Sequence, residues 1–359
     1  MTDNIMIPIE SYSSFIKLKK LVLAISVVAT AVIGVFAISA GSLDVPISEI
    51  IKTLLGKGDP QTQTIIMNIR LPRVTAAILV GAILAVAGAV MQCVLQNPLA
   101  SASTLGVSQG AAFGAALGII VFGGGIVNSD SAATAVTINN TYIVTLCAFL
   151  CASISTLVII FLSQFKKDLG PAGLILAGVA LSSLFGGGST LLQYFADETK
   201  ISAVVFWTFG NLGSAGWPEL LILMVVFLAA LTYFQLNRWN FNAMESGADT
   251  AKSLGVNTRA VLLISMAISS LASAVAVSFV GIISFVGLIA PHIMRRFVGN
   301  DYRFLIPCSA AAGALLLILA DTFARLIIAP VILPIGAITS FLGAPMFLYL
   351  LFRGFKYHG

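Results

Sequence analysis

Residues 74–129 read VTAAILVGAILAVAGAVMQCVLQNPLASASTLGVSQGAAFGAALGIIVFGGGIVNS, 56 residues between Arg73 and Asp130 without one Asp, Glu, Lys or Arg. A helix needs about 20 apolar residues to cross a hydrocarbon layer about 30 Å thick. The stretch is too long for one crossing, so it must fold back through the layer. Another 35 uncharged residues follow before Lys166. Over all 359 residues, 58% are hydrophobic and 9% are charged, against about 25% charged in an ordinary soluble domain. A water-soluble fold of this length would lack the polar surface to cover itself. The chain reads as an all-α polytopic membrane protein.

Working outward from this stretch, the apolar runs mark about ten crossings. They lie near 21–40, 72–95, 105–126, 141–163, 172–193, 218–236, 259–280, 284–297, 304–326 and 335–352. The seventh and eighth share one uncharged run, Ala260 to Met294. As a single helix its 35 residues would extend about 52 Å at 1.5 Å per residue, too long for one crossing. Gly281 and Gly287 flank Ser284-Phe285-Val286, and Pro291 follows, so a break is expected there. The eighth element is then short, a half-helix lining a cavity rather than facing lipid.

The positive charges orient the whole. With the N-terminus inside, cytoplasmic segments hold 13 of the 19 Lys and Arg, and six fall outside: Lys52, Lys57, Arg70, Arg73, Lys200 and Arg325. That inward bias fits ten crossings with both ends in the cytoplasm, and it accounts for the net charge of +5 without nucleic acid. Residues 1–20 are then a cytoplasmic segment, 21–352 the transmembrane domain with a cytoplasmic loop at about 237–258, and 353–359 a tail. Cys93, Cys147, Cys151 and Cys308 all sit in apolar runs with no His or carboxylate spaced to complete a metal site. They read as packing residues. Nothing matches the G-x-x-x-x-G-K-[ST] nucleotide loop.

Six local patterns stand in order along the chain. Arg70-Leu71-Pro72-Arg73 opens the second crossing, which runs through Gly81 and Gly88 to Gln92 and Asn97-Pro98-Leu99-Ala100. Leu105-Gly106-Val107-Ser108-Gln109-Gly110-Ala111 follows. Later come Ser284 to Arg295 with Pro291-His292, then Leu319-Ala320-Asp321 with Ala324-Arg325, Leu333-Pro334-Ile335-Gly336, and Leu342-Gly343-Ala344-Pro345. In this order and spacing they resemble the FecCD family of permeases, over residues 70 to 352. Ser101-Ala102-Ser103-Thr104 departs from the proline-containing stretch usual in that family.

The resemblance implies the type II ABC importer permease fold, in the bacterial cytoplasmic (inner) membrane. It implies a second permease copy (homodimer or close paralogue), two ABC ATPase subunits beneath and an extracytoplasmic substrate-binding protein above. No cofactor is expected in this chain, because ATP-Mg would be bound by the partner ATPase, and no enzymatic activity is expected of it. The cargo implied is an iron(III)-siderophore or similar metal chelate, with vitamin B12, haem or molybdate as alternatives.

Particular residues inherit roles, each beside a blander reading. Met244 to Gly255 reads as a short helix with a glycine stop. The family places an ATPase coupling helix there, which would use Glu245, Gly247, Ala248, Ala251, Leu254 and Gly255; otherwise it is a solvated loop helix. Arg70, Arg73 and Arg325 correspond to arginines that hold acidic residues of the binding protein through a planar, bidentate fork. The alternatives are snorkelling to headgroups and an internal Asp321–Arg325 pair at i, i+4. Asp321 is the one carboxylate well inside an apolar run, and pairing is favoured over a proton relay. Pro291, His292 and Arg295 read as a structural motif near the cytoplasmic face, since two histidines make no ligand set. Asn97 and Leu99 resemble the inner gate of the vitamin B12 permease. Ser182, Ser183, Gly187, Ser189 and Thr190 on the fifth crossing either allow close helix approach or line the pathway.

Two other classes fit less well. A self-sufficient secondary transporter usually keeps several ionisable groups in the membrane, and here only Asp321 qualifies. A membrane enzyme needs a nucleophile, base or metal set within mutual reach, and none is evident.

Overall fold

Hydrocarbon offers no partner for a backbone N–H or C=O, so a chain with these runs must satisfy its backbone inside helices. The computed structural model describes residues 9–41, 45–124, 140–165, 170–329 and 331–352, and every regular element among them is helical. Helix α1 (Ile9–Ser39) is followed by α2 (Ile47–Leu54) and α3 (Pro60–Thr64), and a π-turn over Ile65–Arg70 carries α3 into α4 (Leu71–Val94). Next come α5 (Val107–Ala116), ending in a π-turn at Leu117–Val121, then α6 (Thr141–Phe165), α7 (Pro171–Tyr194) and α8 (Glu198–Thr208). After α9 (Trp217–Leu236), short α10 (Arg238–Glu245) and α11 (Ala248–Ser253) precede α12 (Thr258–Val280). The described chain ends with α13 (Val286–Val298), α14 (Tyr302–Leu326) and α15 (Ile335–Phe352).

Among the described residues, seven helices are long and apolar enough to cross a membrane, and Val107–Val121 and Ile335–Tyr349 are shorter apolar ones. With α13 they match the ten apolar elements expected from the sequence. The protein is a multi-pass membrane protein. Residues 1–8 of the N-terminal segment, the tail 353–359 and the Lys166–Lys167 turn lie outside the described residues.

The structure departs from expectation at several helices, beginning with α1, which starts at Ile9 rather than near residue 21. The second crossing continues back to Pro60, because Asp59 caps that end by accepting from the Gln61 and Thr62 N–H groups. Pro72 lacks the donor that would close an α-turn, and the Leu71 N–H instead reaches Ile66 O, one residue further back than an α-turn. The third crossing stops at Val121 rather than near 126. Helices α2 and α8 were not expected, since neither is a continuous apolar run.

The expected break after α12 is present. Gly281 ends the helix at φ +79°, and α13 begins after Phe285 at φ +64°. Gly287 and Pro291 lie inside α13 rather than in the break.

Helix α4 is the centre of the molecule. It packs against α14, α12, α13 and α9, and 89% of its most apolar window is buried, against 17% for α1 and for α7. Those outer helices present Val28, Val32, Leu184 and Leu191 outward. Two contacts set the depth of the central packing. A Cβ on Gly81 would run into the carbonyl of Gly313 on α14, and one on Gly88 into the carbonyl of Gly287 on α13. Small residues thus let the backbones touch. Pro291 also leaves Gly287 O without its usual i+4 donor, and Gly88 occupies the space beside that freed oxygen.

Candidate functional site

Polar side chains in a lipid-soluble chain are costly, so their groupings locate what the apolar scaffold is built to hold. One lies where α1, α4 and α14 meet. Asp321 on α14 is 1% exposed. Arg73 donates to its Oδ1 from Nε at 2.9 Å, with Nη2 also 2.9 Å away. Arg325, one turn along the same helix, donates to Oδ2 from Nε at 2.9 Å. The other Arg325 nitrogens donate to Ala40 O at 3.1 Å and Ala37 O at 3.0 Å. Arg70 donates to Ile38 O and Ser39 O, both at 2.7 Å. These carbonyls end α1, where backbone oxygens lack intrahelical donors and the helix dipole is negative. Two arginines therefore cap α1 while one carboxylate joins α4 to α14.

All three arginines named from the sequence are thus turned inward. The internal Asp321–Arg325 pair is present and is extended by Arg73. Any contact made through these guanidiniums with another protein would have to draw on groups already engaged inside the chain.

A second grouping lies at α10, α11 and the start of α14. Phe241 and Met244 of α10 are buried. Asn242 donates from Nδ2 to Asp301 Oδ1 at 3.3 Å and accepts the Tyr302 N–H at 2.8 Å. The Tyr302 ring is fully buried. Its hydroxyl accepts from Arg295 Nη2 at 3.0 Å and lies 3.3 Å from Glu245 Oε2 and 3.4 Å from Ala89 O, either of which can take its proton. Burial pushes the Asp301 carboxyl up, but hydrogen bonds from Arg303 and Asn242 outweigh that and hold it below the usual range. Lys19 of α1 adds an ion pair at 3.6 Å.

Helix α11 is a separate short helix, not one helix running on from Met244. It ends in a Schellman motif: the Gly255 N–H reaches Lys252 O at 2.9 Å and the Val256 N–H reaches Ala251 O at 3.0 Å, with Gly255 at φ +83°. The outward face differs from the one expected. Ala251 is fully buried and cannot belong to it, and Glu245 is turned toward Tyr302. Leu254 is 69% exposed, and Asp249, Thr250, Lys252, Ser253 and Gly255 are exposed beside it.

The loop from Asn97 to Leu105 starts beside this grouping, where Gln96 Nε2 donates to Met244 O at 2.8 Å, and ends against α6, where Leu105 O accepts from Ser155 Oγ at 2.8 Å. Asn97 Oδ1 accepts the Leu99 N–H at 2.8 Å, and both residues are half-buried. On α7, Ser182, Ser183, Ser189 and Thr190 all donate back to carbonyls of their own helix, Gly178, Val179, Phe185 and Gly186. Their donors are spent, leaving only acceptor capacity. Ser183, Gly187 and Thr190 share the exposed face, and a Cβ on Gly187 would meet nothing within 4 Å.

Residues 29–353 match the FecCD transport family. The chain belongs to that family. An ABC transporter permease protein of Methanocaldococcus jannaschii is 51% identical over 97% of this chain and 98% of its own length. The iron(3+)-hydroxamate import system permease of Bacillus subtilis is 37% identical over 89% of this chain and 79% of its own. A solved structure of a metal-chelate type ABC transporter in an inward-facing conformation has a TM-score of 0.80 at 31% identity. It covers 93% of this chain and 100% of its own.

As an FecCD permease, the chain is the membrane-spanning component of an ABC importer. Of the residues singled out from the sequence, Asp321, Arg73 and Arg325 form one centre, with Arg70 bound nearby to the end of α1. Glu245 and Arg295 meet at Tyr302. Pro291 is buried within α13 and His292 is half-buried on it. Sequence reasoning missed Tyr302, Asn242, Asp301 and Gln96. Asp301-Tyr302 carried a readable signal, an Asp placed to cap the next helix, and it does accept the Arg303 N–H at 3.1 Å.

Proposed function

We propose that this FecCD permease carries an iron(III)-siderophore or similar metal chelate across the cytoplasmic membrane. It works as a pair of permease copies with two separate ATPase subunits and a substrate-binding protein on the outer face. The observation that carries this reading is the likeness to a metal-chelate type transporter along 93% of the chain, joined by relatives named for iron hydroxamate and iron citrate import. Relatives named for hemin, vitamin B12 and molybdate systems keep those cargoes as the second reading.

The geometry supports a division of labour. The outward face of α11, led by Leu254 and Gly255, suits a partner groove on the cytoplasmic side. The exposed Ser183, Gly187 and Thr190 face of α7 suits a pathway shared with a second copy, where the remaining acceptor oxygens would line a wide passage. Asn97 and Leu99 would narrow its inner end.

Reconstitution with the ATPase and binding protein tests the reading. ATP-dependent accumulation of a ferric hydroxamate, above haemin, cobalamin and molybdate, is the expected result. Accumulation by the chain alone on an ion gradient would overturn it.

A further inference from the structure

The loop between α4 and α5 is a hydrogen-bonded block with a left-handed joint at each end. Within it the Ala100 N–H reaches Asn97 O at 3.0 Å, and Asn97 Oδ1 holds the Leu99 N–H. Thr104 Oγ1 donates to Ser101 O at 2.8 Å and accepts the Ser101 N–H at 3.0 Å. At the α5 end, Gly106 takes φ +83°. At the α4 end the joint is Gln96 at φ +44°, a left-handed conformation that a residue with a Cβ keeps only when its surroundings hold it.

The α4 end closes as a Schellman turn, with the Gln96 N–H on Cys93 O at 3.0 Å and the Asn97 N–H on Gln92 O at 3.1 Å, and α10 adds a side-chain tie to Gln96. Gln96 Nε2 donates to Met244 O at 2.8 Å. Met244 is the next-to-last residue of α10, three residues before the Gly247 joint that leads into α11. One turn earlier, Cys93 Sγ lies 3.4 Å from Phe241 O. The residue that immediately precedes the Asn97–Leu105 block is therefore tied to the backbone of the segment that leads to α11.

We propose that Gln96 is a positioning residue that makes the Asn97–Leu105 block follow movement of α10 and α11. The inference rests on the reading of α11 as the ATPase contact and of Leu99 as part of the inner gate. A push on α11 displaces Met244 O. The hydrogen bond passes that displacement to Gln96, and rotation about Gln96 and Gly106 swings the block as a unit. Without the bond the same push is absorbed at the two joints.

The test uses the full chain co-purified with its ATPase in lipid nanodiscs and carrying Leu99→Cys. It reads the rate at which a membrane-impermeant maleimide labels that cysteine, without nucleotide and with ATP, Mg2+ and vanadate. With Gln96 present the two rates differ. Gln96→Gly removes the side chain and accepts the left-handed backbone without strain. Gln96→Glu keeps the length but sets an acceptor against the Met244 carbonyl. In both variants the rate difference shrinks by about 2–10-fold, the range set by one neutral hydrogen bond, while ATP hydrolysis persists. An undiminished difference in either variant overturns the link, because the hydrogen bond would not then be what transmits. If the rates do not differ even with Gln96 present, the gate reading itself fails and the link falls with it.

Discussion

Arg73 and Asp321 stand 248 residues apart in sequence and face each other as a buried ion pair, Nε to Oδ1 at 2.9 Å. The carboxylate has a second arginine on its other oxygen, so its partners are not equivalent under substitution. Removing one partner of a buried pair costs about 3–5 kcal/mol when the other charge is left uncompensated. Arg73→Met leaves Asp321 with Arg325, whereas Asp321→Ala takes the carboxylate from both arginines and leaves Arg325 only the Ala37 and Ala40 carbonyls. Thermal stability in detergent, followed by size-exclusion chromatography, should therefore fall most for Asp321→Ala and less for Arg73→Met. Wild-type melting of both variants would show that the pair does not hold α4 to α14.

Packing at the glycine contacts gives a second prediction. A Cβ on Gly88 would overlap the Gly287 carbonyl, while one on Gly187 meets open space. Overpacking costs about 1–3 kcal/mol, and a backbone atom yields less readily than a side chain. Gly88→Ala should lower the yield of folded protein and its melting temperature, and Gly187→Ala should leave the isolated chain's stability unchanged. A transport defect in Gly187→Leu without lost stability would then report on the shared pathway.

Asp301 carries a pH dependence whose sign follows from its lowered pKa. A carboxyl held below its unfolded value of about 3.9 contributes stability that is present above that pH and lost as pH falls through the folded value. Asp301→Asn should thus melt below the wild type at pH 7, and the gap should close as the pH is taken below about 4. A gap that stays constant down to pH 3 would mean that the charge contributes nothing beyond the cap.

These relationships differ in how far the sequence discloses them. Asp321 and Arg325 are four apart on a helix, so their contact follows from helical periodicity alone. The break at Gly281 follows from run length against bilayer thickness. Arg73 on Asp321, and Gln96 on Met244, depend on which helices pack together, and no local pattern encodes that. Ala251 illustrates the same limit on a smaller scale. The spacing of Ala248, Ala251 and Leu254 identifies one helix face, but only the packed structure decides that Ala251 turns inward while Leu254 turns out. Helix α8 escaped notice because Asp197 to Thr208 mixes charged and apolar residues, although Asp197 caps it by accepting the Lys200 N–H at 2.9 Å.

That inward and outward division of α11 yields the last prediction. Leu254 is 69% exposed and Ala251 fully buried, so substitutions at the two positions should fail in different ways. Leu254→Asp removes an apolar side chain from the surface and adds charge without touching the fold. It should leave the permease's melting temperature unchanged and abolish co-purification of a co-expressed ATPase, since truncating a central apolar contact typically costs 2 kcal/mol or more, roughly a thirtyfold loss of affinity. Ala251→Leu overfills a closed site and should lower stability first, with any loss of the ATPase following from that. Gly255→Val forces a β-branched residue into the left-handed Schellman position and should reproduce the Leu254→Asp binding loss by unravelling the end of α11. An ATPase that co-purifies normally with Leu254→Asp would place the contact elsewhere on the permease.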